Sequence, residues 1–405
     1  MYHISHVLSK YAKLFITIFA VITLSGCNAD SNKITPTTSK TENETESKSE
    51  SIKSINAVDA IIDAYKEHQV VAIGDVHGLV EEREFIISLI NTPQFYENVK
   101  TIVIETGNAK YQDVADDYVN GENIDINELQ KIWRDLTSSG IGPTDKMSNQ
   151  DLFDSVREIN AKLPDDERLR IILGDPAIDW SEIETREDFS PWLMKRDEVY
   201  TEAVLENVYK NDMKGLLICG ASHFSRSTNS TVGADNQKPK KTILDSIEEL
   251  YPDSVYLVQI HMGFGKDNEH LEEKLEEIST PSILLIENTW IGELPSSSSS
   301  LNSDVKGNAG YGNASIGSGN TEKGENEKMQ KKVMPTEVQT KEEVMDAYLY
   351  LGRASSLTIN NPPTEIYSDN EYYNELNRRH TIVQGKSLNR ESLLEEKPSS
   401  FLENY

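Results

Sequence analysis

The chain is short of cysteine, with only Cys27 and Cys219 in 405 residues. A disulfide framework is therefore excluded if either thiol is otherwise engaged, and the fold must be held by its core. Membrane-spanning runs are missing too. The apolar stretch Leu14 to Leu24 is about half the roughly 20 residues that a spanning helix needs. Positive charge is also scarce, 40 Lys and Arg against 68 Asp and Glu, for a formal net charge of −28. A surface with that balance repels phosphate backbones and anionic headgroups, which excludes nucleic acid as a partner.

What is present begins at the N-terminus. Lys10 and Lys13 precede the apolar run, and Leu24-Ser25-Gly26-Cys27 follows it, with polar sequence immediately after. A short apolar core ending in small residues predicts a signal peptide over residues 1–26. The four residues ending at Cys27 resemble the lipobox of bacterial lipoproteins. That resemblance implies acylation of Cys27, palmitate-type chains included, and attachment to a membrane of the cell envelope. In that family a mature chain opening Cys27-Asn28 implies the outer rather than the inner membrane, where both exist. Cys219 then has no partner; within Gly215-Leu216-Leu217-Ile218-Cys219 it reads as a buried, inert thiol.

Residues 27–54 are rich in Ser, Thr, Lys, Asn and Glu and almost free of apolar side chains, which predicts a disordered tether. A second such tract, 295–332, opens with Pro295 and five serines and reads as a low-complexity insertion. Between them, six β-rich apolar runs (Val70 to Ile73, Thr101 to Ile104, Leu169 to Leu173, Leu216 to Cys219, Val255 to Ile260, Ile283 to Ile286) alternate with helical patterns. The helical patterns fall at Glu81 to Ile90, Asp151 to Leu163, Asp197 to Tyr209 and Thr242 to Leu250. Continuous apolar strands separated by helices predict an α/β domain over 55–294, with a mostly parallel sheet covered on both faces. Residues 333–405 read as a small helical C-terminal segment, with helices over Lys341 to Leu351 and Asn370 to Arg379, packing on or capping the main domain.

Parallel sheets place ligands at the carboxyl ends of their strands, so the residues that follow each run are the candidates. They are Gly74-Asp75-Val76-His77-Gly78, Glu105-Thr106-Gly107-Asn108, Gly174-Asp175-Pro176, Gly220-Ala221-Ser222-His223, His261, and Glu287-Asn288. Of eight histidines, His3, His6, His68, His270 and His380 fall elsewhere, and His77, His223 and His261 fall at strand ends. Gly-x-x-His occurs twice, with a glycine expected to turn the chain so that the imidazole projects over the sheet. His77 and His223 with Glu105 between them can bind a divalent metal, or can activate water with Glu105 orienting the base. Glu105 ends an apolar run, and a carboxylate leaving a buried strand needs a partner. His261 reads as a satisfied, half-buried histidine. Asp75 and Asp175 serve either the site or the caps of following helices. Arg196-Asp197 reads as a solvated helix pair unless Arg196 reaches an anionic ligand.

Gly74-Asp75-Val76-His77, Val103-Ile104-Glu105 and Gly220-Ala221-Ser222-His223 together resemble the superfamily that joins the erythromycin esterases, the ChaN-type haem-binding lipoproteins and the Tiki proteases. Ile172 to Pro176 with Asp179-Trp180, Arg196-Asp197 and Ala347 to Gly352 extend the likeness over most of the chain after the tether. The resemblance implies an α/β fold with His77, Glu105 and His223 facing one pocket. It also implies one of three activities: ester hydrolysis, metal-dependent proteolysis, or non-catalytic binding of haem or another small ligand. The esterase-type Gly-Glu-x-x-His is absent, since Asp75 follows Gly74 and the spacing is one residue shorter. Gly74-Asp75-Val76-His77-Gly78 is also similar to the opening of calcineurin-like phosphoesterases. The second Gly-Asp-x-x-Asp and the Gly-Asn-His of that family do not follow.

Overall fold

The computed structural model describes residues 52–145, 149–224, 226, 241–296, 339–360, 364–395 and 399–400. The signal peptide, Cys27, the tether up to residue 51 and the tract 297–332 lie outside the described residues.

All six apolar runs form strands of one eight-stranded sheet. In chain order the strands are β1 (Lys53–Asn56), β2 (Val70–Asp75), β3 (Thr101–Asn108), β4 (Arg170–Asp175), β5 (Gly215–Gly220), β6 (Val255–Ile260), β7 (Ser282–Leu285) and β8 (Ala347–Tyr350). Their spatial order is β1-β7-β8-β6-β2-β5-β3-β4. The five pairs from β8 through β6, β2, β5 and β3 to β4 are parallel, and β7 runs antiparallel to both β8 and β1. The expected α/β architecture is thus present, and both faces are covered. Along β2, Val71 and Ile73 join one apolar cluster and Val70 and Ala72 the other. That alternation is why the run is apolar at every position.

The helices follow their sequence signals. Val80–Ile90, Gln150–Asn160, Arg196–Val204 and Ile243–Leu250 match the four predicted patterns, and Thr242 with Asp245 closes a capping box on the last of them. In the C-terminal segment Asn370–Gln384 is helical as expected.

Three expectations need correction. Lys341 to Leu351 is not one helix: a single turn, Lys341–Val344, gives way to β8, which is inserted between β7 and β6. Ala347-Tyr348-Leu349-Tyr350 has bulky apolar groups on both sides at period two. Ala347 and Leu349 enter the main core, and Tyr348 and Tyr350 pack with Leu284 and Ile286. The first strand starts at Lys53, inside the predicted tether. Its four residues are exposed, so pairing with β7 through the backbone leaves no apolar pattern to read. Finally, because β7 is antiparallel, Glu287 and Asn288 leave the sheet at the edge opposite the one where β2, β3, β4 and β5 end.

Candidate functional site

The strand order β2-β5-β3-β4 brings the carboxyl ends of four neighbouring strands together. It thereby gathers Asp75 and His77, then His223, then Glu105, then Asp175. The register aligns Gly74 with Cys219 and Asp75 with Gly220, so the two Gly-x-x-His segments leave the sheet side by side.

The glycines do not turn the chain as predicted. Both are extended strand residues, and neither lies in the left-handed region. Their role is to admit neighbours. A Cβ on Gly74 would stand 2.0 Å from Gln259 Oε1. On Gly220 it would meet Glu105 Oε2 at 2.9 Å and His77 Nε2 at 3.5 Å.

Glu105 is buried at the centre. Its Oε1 faces Arg196 Nη2 at 2.5 Å, His223 Nε2 at 3.4 Å and His77 Nε2 at 3.9 Å. Its Oε2 accepts from the Gly220 backbone N–H at 2.5 Å and lies 3.4 Å from Cys219 Sγ. Burial alone would push the carboxyl up. The charge of His223, that of His77 whenever its ring is protonated, and that of Arg196 outweigh it and hold Glu105 well below the usual carboxylate range.

Each histidine carries a carboxylate on its other nitrogen. His77 Nδ1 is 2.6 Å from Asp75 Oδ2, and His223 Nδ1 pairs with Asp197. The two rings therefore mirror one another, with Nδ1 tied to an aspartate and Nε2 turned toward Glu105. Burial works to lower His223, but the Glu105 charge and the hydrogen bonds to Asp197 and Glu105 raise it to about 9. The edge of Tyr200 packs against this ring, with centroids 5.3 Å apart.

Arg196 opens its helix and is buried, so the expectation of a solvated Arg196-Asp197 pair is overturned. Arg196 turns inward to Glu105, donates from Nε to Tyr200 Oη at 2.8 Å, and lies 3.4 Å from Asp175 Oδ1. Asp197, the next residue, turns to His223. Asp175 caps no following helix. It accepts from Thr137 N at 2.6 Å, Thr137 Oγ1 at 2.7 Å and Tyr200 Oη at 3.0 Å, and so forms the floor beneath Arg196. Asp75 likewise serves His77 rather than a helix end.

His261 stands apart. It is fully buried rather than half-buried, with Nε2 2.7 Å from Glu272 Oε1 and the Phe264 ring beside it. Cys219 is buried as expected. Burial, then the Glu105 charge, pushes its thiol well up, the reverse of what a nucleophilic cysteine needs. Asp197, Tyr200 and Thr137 were not legible as site residues. The only available signals were the Arg-Asp pair at a predicted helix start and the i, i+4 spacing of Arg196 and Tyr200.

A divalent ion would have to be held by His77 Nε2, His223 Nε2 and Glu105 Oε1. The aspartates behind both rings are the support that metal-binding imidazoles take. The third donor does not fit, because Glu105 Oε1 is already occupied by a guanidinium whose charge repels a cation. Among the described residues, the atoms close enough to share an ion are those of Glu105, Cys219 and His223, and that thiol is held protonated. The calcineurin-like arrangement finds no support at Asn108 either. Its amide donates to the Asp135 and Ile178 carbonyls, fastening a loop.

No family model matches the chain, and no curated protein matches it. Among solved structures it is similar to the C-terminal region of Pasteurella multocida toxin, described as having a thiol-protease-like catalytic triad. That match has 12% identity, covers 51% of this chain and 25% of the toxin chain, and has a TM-score of 0.35. It is also similar to the type III effector HopBA1, at 15% identity over 54% of this chain and 90% of that one, with a TM-score of 0.29. Likeness at that level bears on neither the chemistry nor the ancestry of this chain.

Proposed function

We propose that the chain is a hydrolase of small acyl compounds that works by general acid–base chemistry at His77, Glu105 and His223. The observation that carries this reading is the pair of aspartate–imidazole dyads whose Nε2 atoms converge on one buried carboxylate oxygen. The dyads are not equivalent. The His223 side chain is the more buried, 15% exposed against 23% for His77, and it lies closer to Glu105 Oε1. With a proton held to about 9, His223 is an acid at neutral pH. His77, the more exposed ring and the farther from Glu105, takes the other role: with its Nδ1–H donated to Asp75, its lone pair lies at Nε2 and serves as the base.

In the reaction, water loses a proton to His77 Nε2 as its oxygen bonds to the acyl carbon. The bond from that carbon to the leaving oxygen then breaks, and His223 donates its Nε2 proton to that oxygen. Glu105 keeps His223 charged, and Arg196 keeps Glu105 ionised. The net charge of −28 favours a neutral or cationic substrate. These three residues are the ones that the erythromycin esterase, ChaN and Tiki resemblance implies. A haem carrier would need an imidazole nitrogen facing an open apolar slot, whereas both Nε2 atoms here face a carboxylate.

The test is a hydrolysis assay on a panel of neutral esters. His77→Ala and His223→Ala should each lower the rate by about 10²- to 10⁴-fold. The double substitution should cost little more than the worse single one, because the two rings act as a unit. A His77→Ala protein as active as the parent would overturn the reading.

We also infer a lipid-anchored location in the cell envelope, supported by Lys10, Lys13, the run Leu14 to Leu24 and Cys27. On expression in bacteria, the parent should partition into a detergent phase with acyl mass on Cys27, and Cys27→Ser should not. A mature envelope protein with an unmodified Cys27 contradicts this.

A further inference from the structure

The donors placed so far serve the cluster's own anions. Arg196 is turned to Glu105 and Tyr200, the Gly220 N–H to Glu105, and Thr137 and Tyr200 to Asp175. Acyl hydrolysis calls for one donor more, because the carbonyl oxygen becomes an oxyanion as water adds to the carbon.

Gln259 stands where such a donor is needed. On β6, Leu257 is buried in the same apolar cluster as Ala72 of β2, Cys219 of β5 and Val103 of β3. Residues two apart on a strand share a face, so Gln259, Gly74 and Glu105 follow on that face at its carboxyl edge, level with Cys219. The register sets Gln259 beside Gly74, and Gly74 beside Cys219. The Gln259 amide lies across Gly74, where a Cβ would meet Oε1 at 2.0 Å, Cδ at 2.7 Å and Nε2 at 3.1 Å. From the other side, Glu105 Oε2 comes within 3.4 Å of Cys219 Sγ. The amide and the carboxylate thus reach toward each other over β2 and β5, two strands about 5 Å apart. His77 Nε2 is 3.9 Å from that carboxylate.

Oε1 is the amide atom pressed on Gly74, and Nε2 stands farther out. Gln259 is half-buried, and its side chain makes no hydrogen bond among the described residues. A side chain that only covered Gly74 would gain nothing from an amide, whose partial burial without a partner costs stability. A neutral donor also leaves the charges of Glu105 and His223 undisturbed.

We propose that Gln259 is a catalytic residue whose Nε2–H donates to the carbonyl oxygen of the substrate as that oxygen takes up charge, an inference that rests on the acid–base reading. As the water oxygen bonds to the acyl carbon and its proton passes to His77, the π pair of the carbonyl moves onto the oxygen that faces Gln259. When the bond to the leaving oxygen breaks, that pair returns and the carbonyl reforms. Gln259 gains and loses no proton. Gly74, lacking a side chain, is what lets the amide lie at this level.

The test compares a neutral ester with its thionoester, in which sulfur, a weak acceptor, replaces the carbonyl oxygen. Gln259→Leu keeps the bulk and removes the donor. It should lower kcat of the full chain on the ester about 10²- to 10³-fold at nearly unchanged KM, and on the thionoester by about tenfold or less. Gln259→Glu keeps the shape but has no N–H, and should lose as much on the ester as Gln259→Leu. Equal losses on the two substrates would mark a structural role and overturn the proposal, as would full activity in Gln259→Glu. An active parent beside an unimpaired Gln259→Leu overturns the role of Gln259 alone, whereas a parent that hydrolyses no ester overturns the hydrolase reading and this role with it.

Discussion

Gly220 shows most directly how single residues set this site. Its missing side chain is what allows Glu105 Oε2 to reach the Gly220 N–H while His77 Nε2 remains in contact. Gly220→Ala should therefore displace Glu105, cost about 1–3 kcal/mol of stability through overpacking, and remove hydrolysis in a protein that still folds. Thermal unfolding measured beside the ester assay checks both parts, and an active Ala variant would contradict the geometry. His77, Glu105 and His223 could be read from the sequence because each follows an apolar run, and in a parallel sheet such positions share an edge. Asp197 could not be read. An Asp beside an Arg at a helix start usually faces solvent, and only the inward turn of Arg196 toward Glu105 leaves Asp197 directed at His223.

Elements were legible where local pattern and tertiary environment agree. The apolar runs of β2 to β6 stand out because the sheet is buried on both faces. The last strand of the sheet, β8, follows a capped helical turn and is four residues long, so its period-two signal is too brief to oppose the helical reading of Lys341 to Leu351. Its position changes the meaning of the C-terminal segment. That segment is part of the sheet, and its helix Asn370–Gln384 holds the loop bearing Thr137 through Arg379, which donates to Arg134 O and Ser139 Oγ. Thr137 in turn holds Asp175 under Arg196. The ends of the segment joining β7 to β8 meet: Ser296 N donates to Gln339 O at 2.7 Å, and Pro295 bridges to Thr340. Replacing residues 297–338 with a short Gly-Ser linker should therefore leave the sheet, the unfolding midpoint and the hydrolysis rate close to those of the parent. A large loss of stability on that replacement would contradict the pairing of these flanks.

At the scale of the whole molecule, an acidic chain buries His223 in its polar cluster and keeps that imidazole charged with carboxylates on both ring nitrogens. The sign of the pH dependence follows. An unfolded histidine titrates near 6.5 and folded His223 at about 9. Its contribution, on the order of 3 kcal/mol, is fully present below 6.5 and is lost as pH rises through 9. The same proton is the one proposed for the leaving group, so stability and rate should fall together at the alkaline end. The most direct test of the acid–base account is the hydrolysis rate of the full chain from neutral pH upward, with chelator present throughout. The account predicts a rate sustained through neutral pH that declines with a midpoint near 9, and near-complete loss in His223→Ala. A rate that keeps rising through that range, or that survives in His223→Ala, contradicts it.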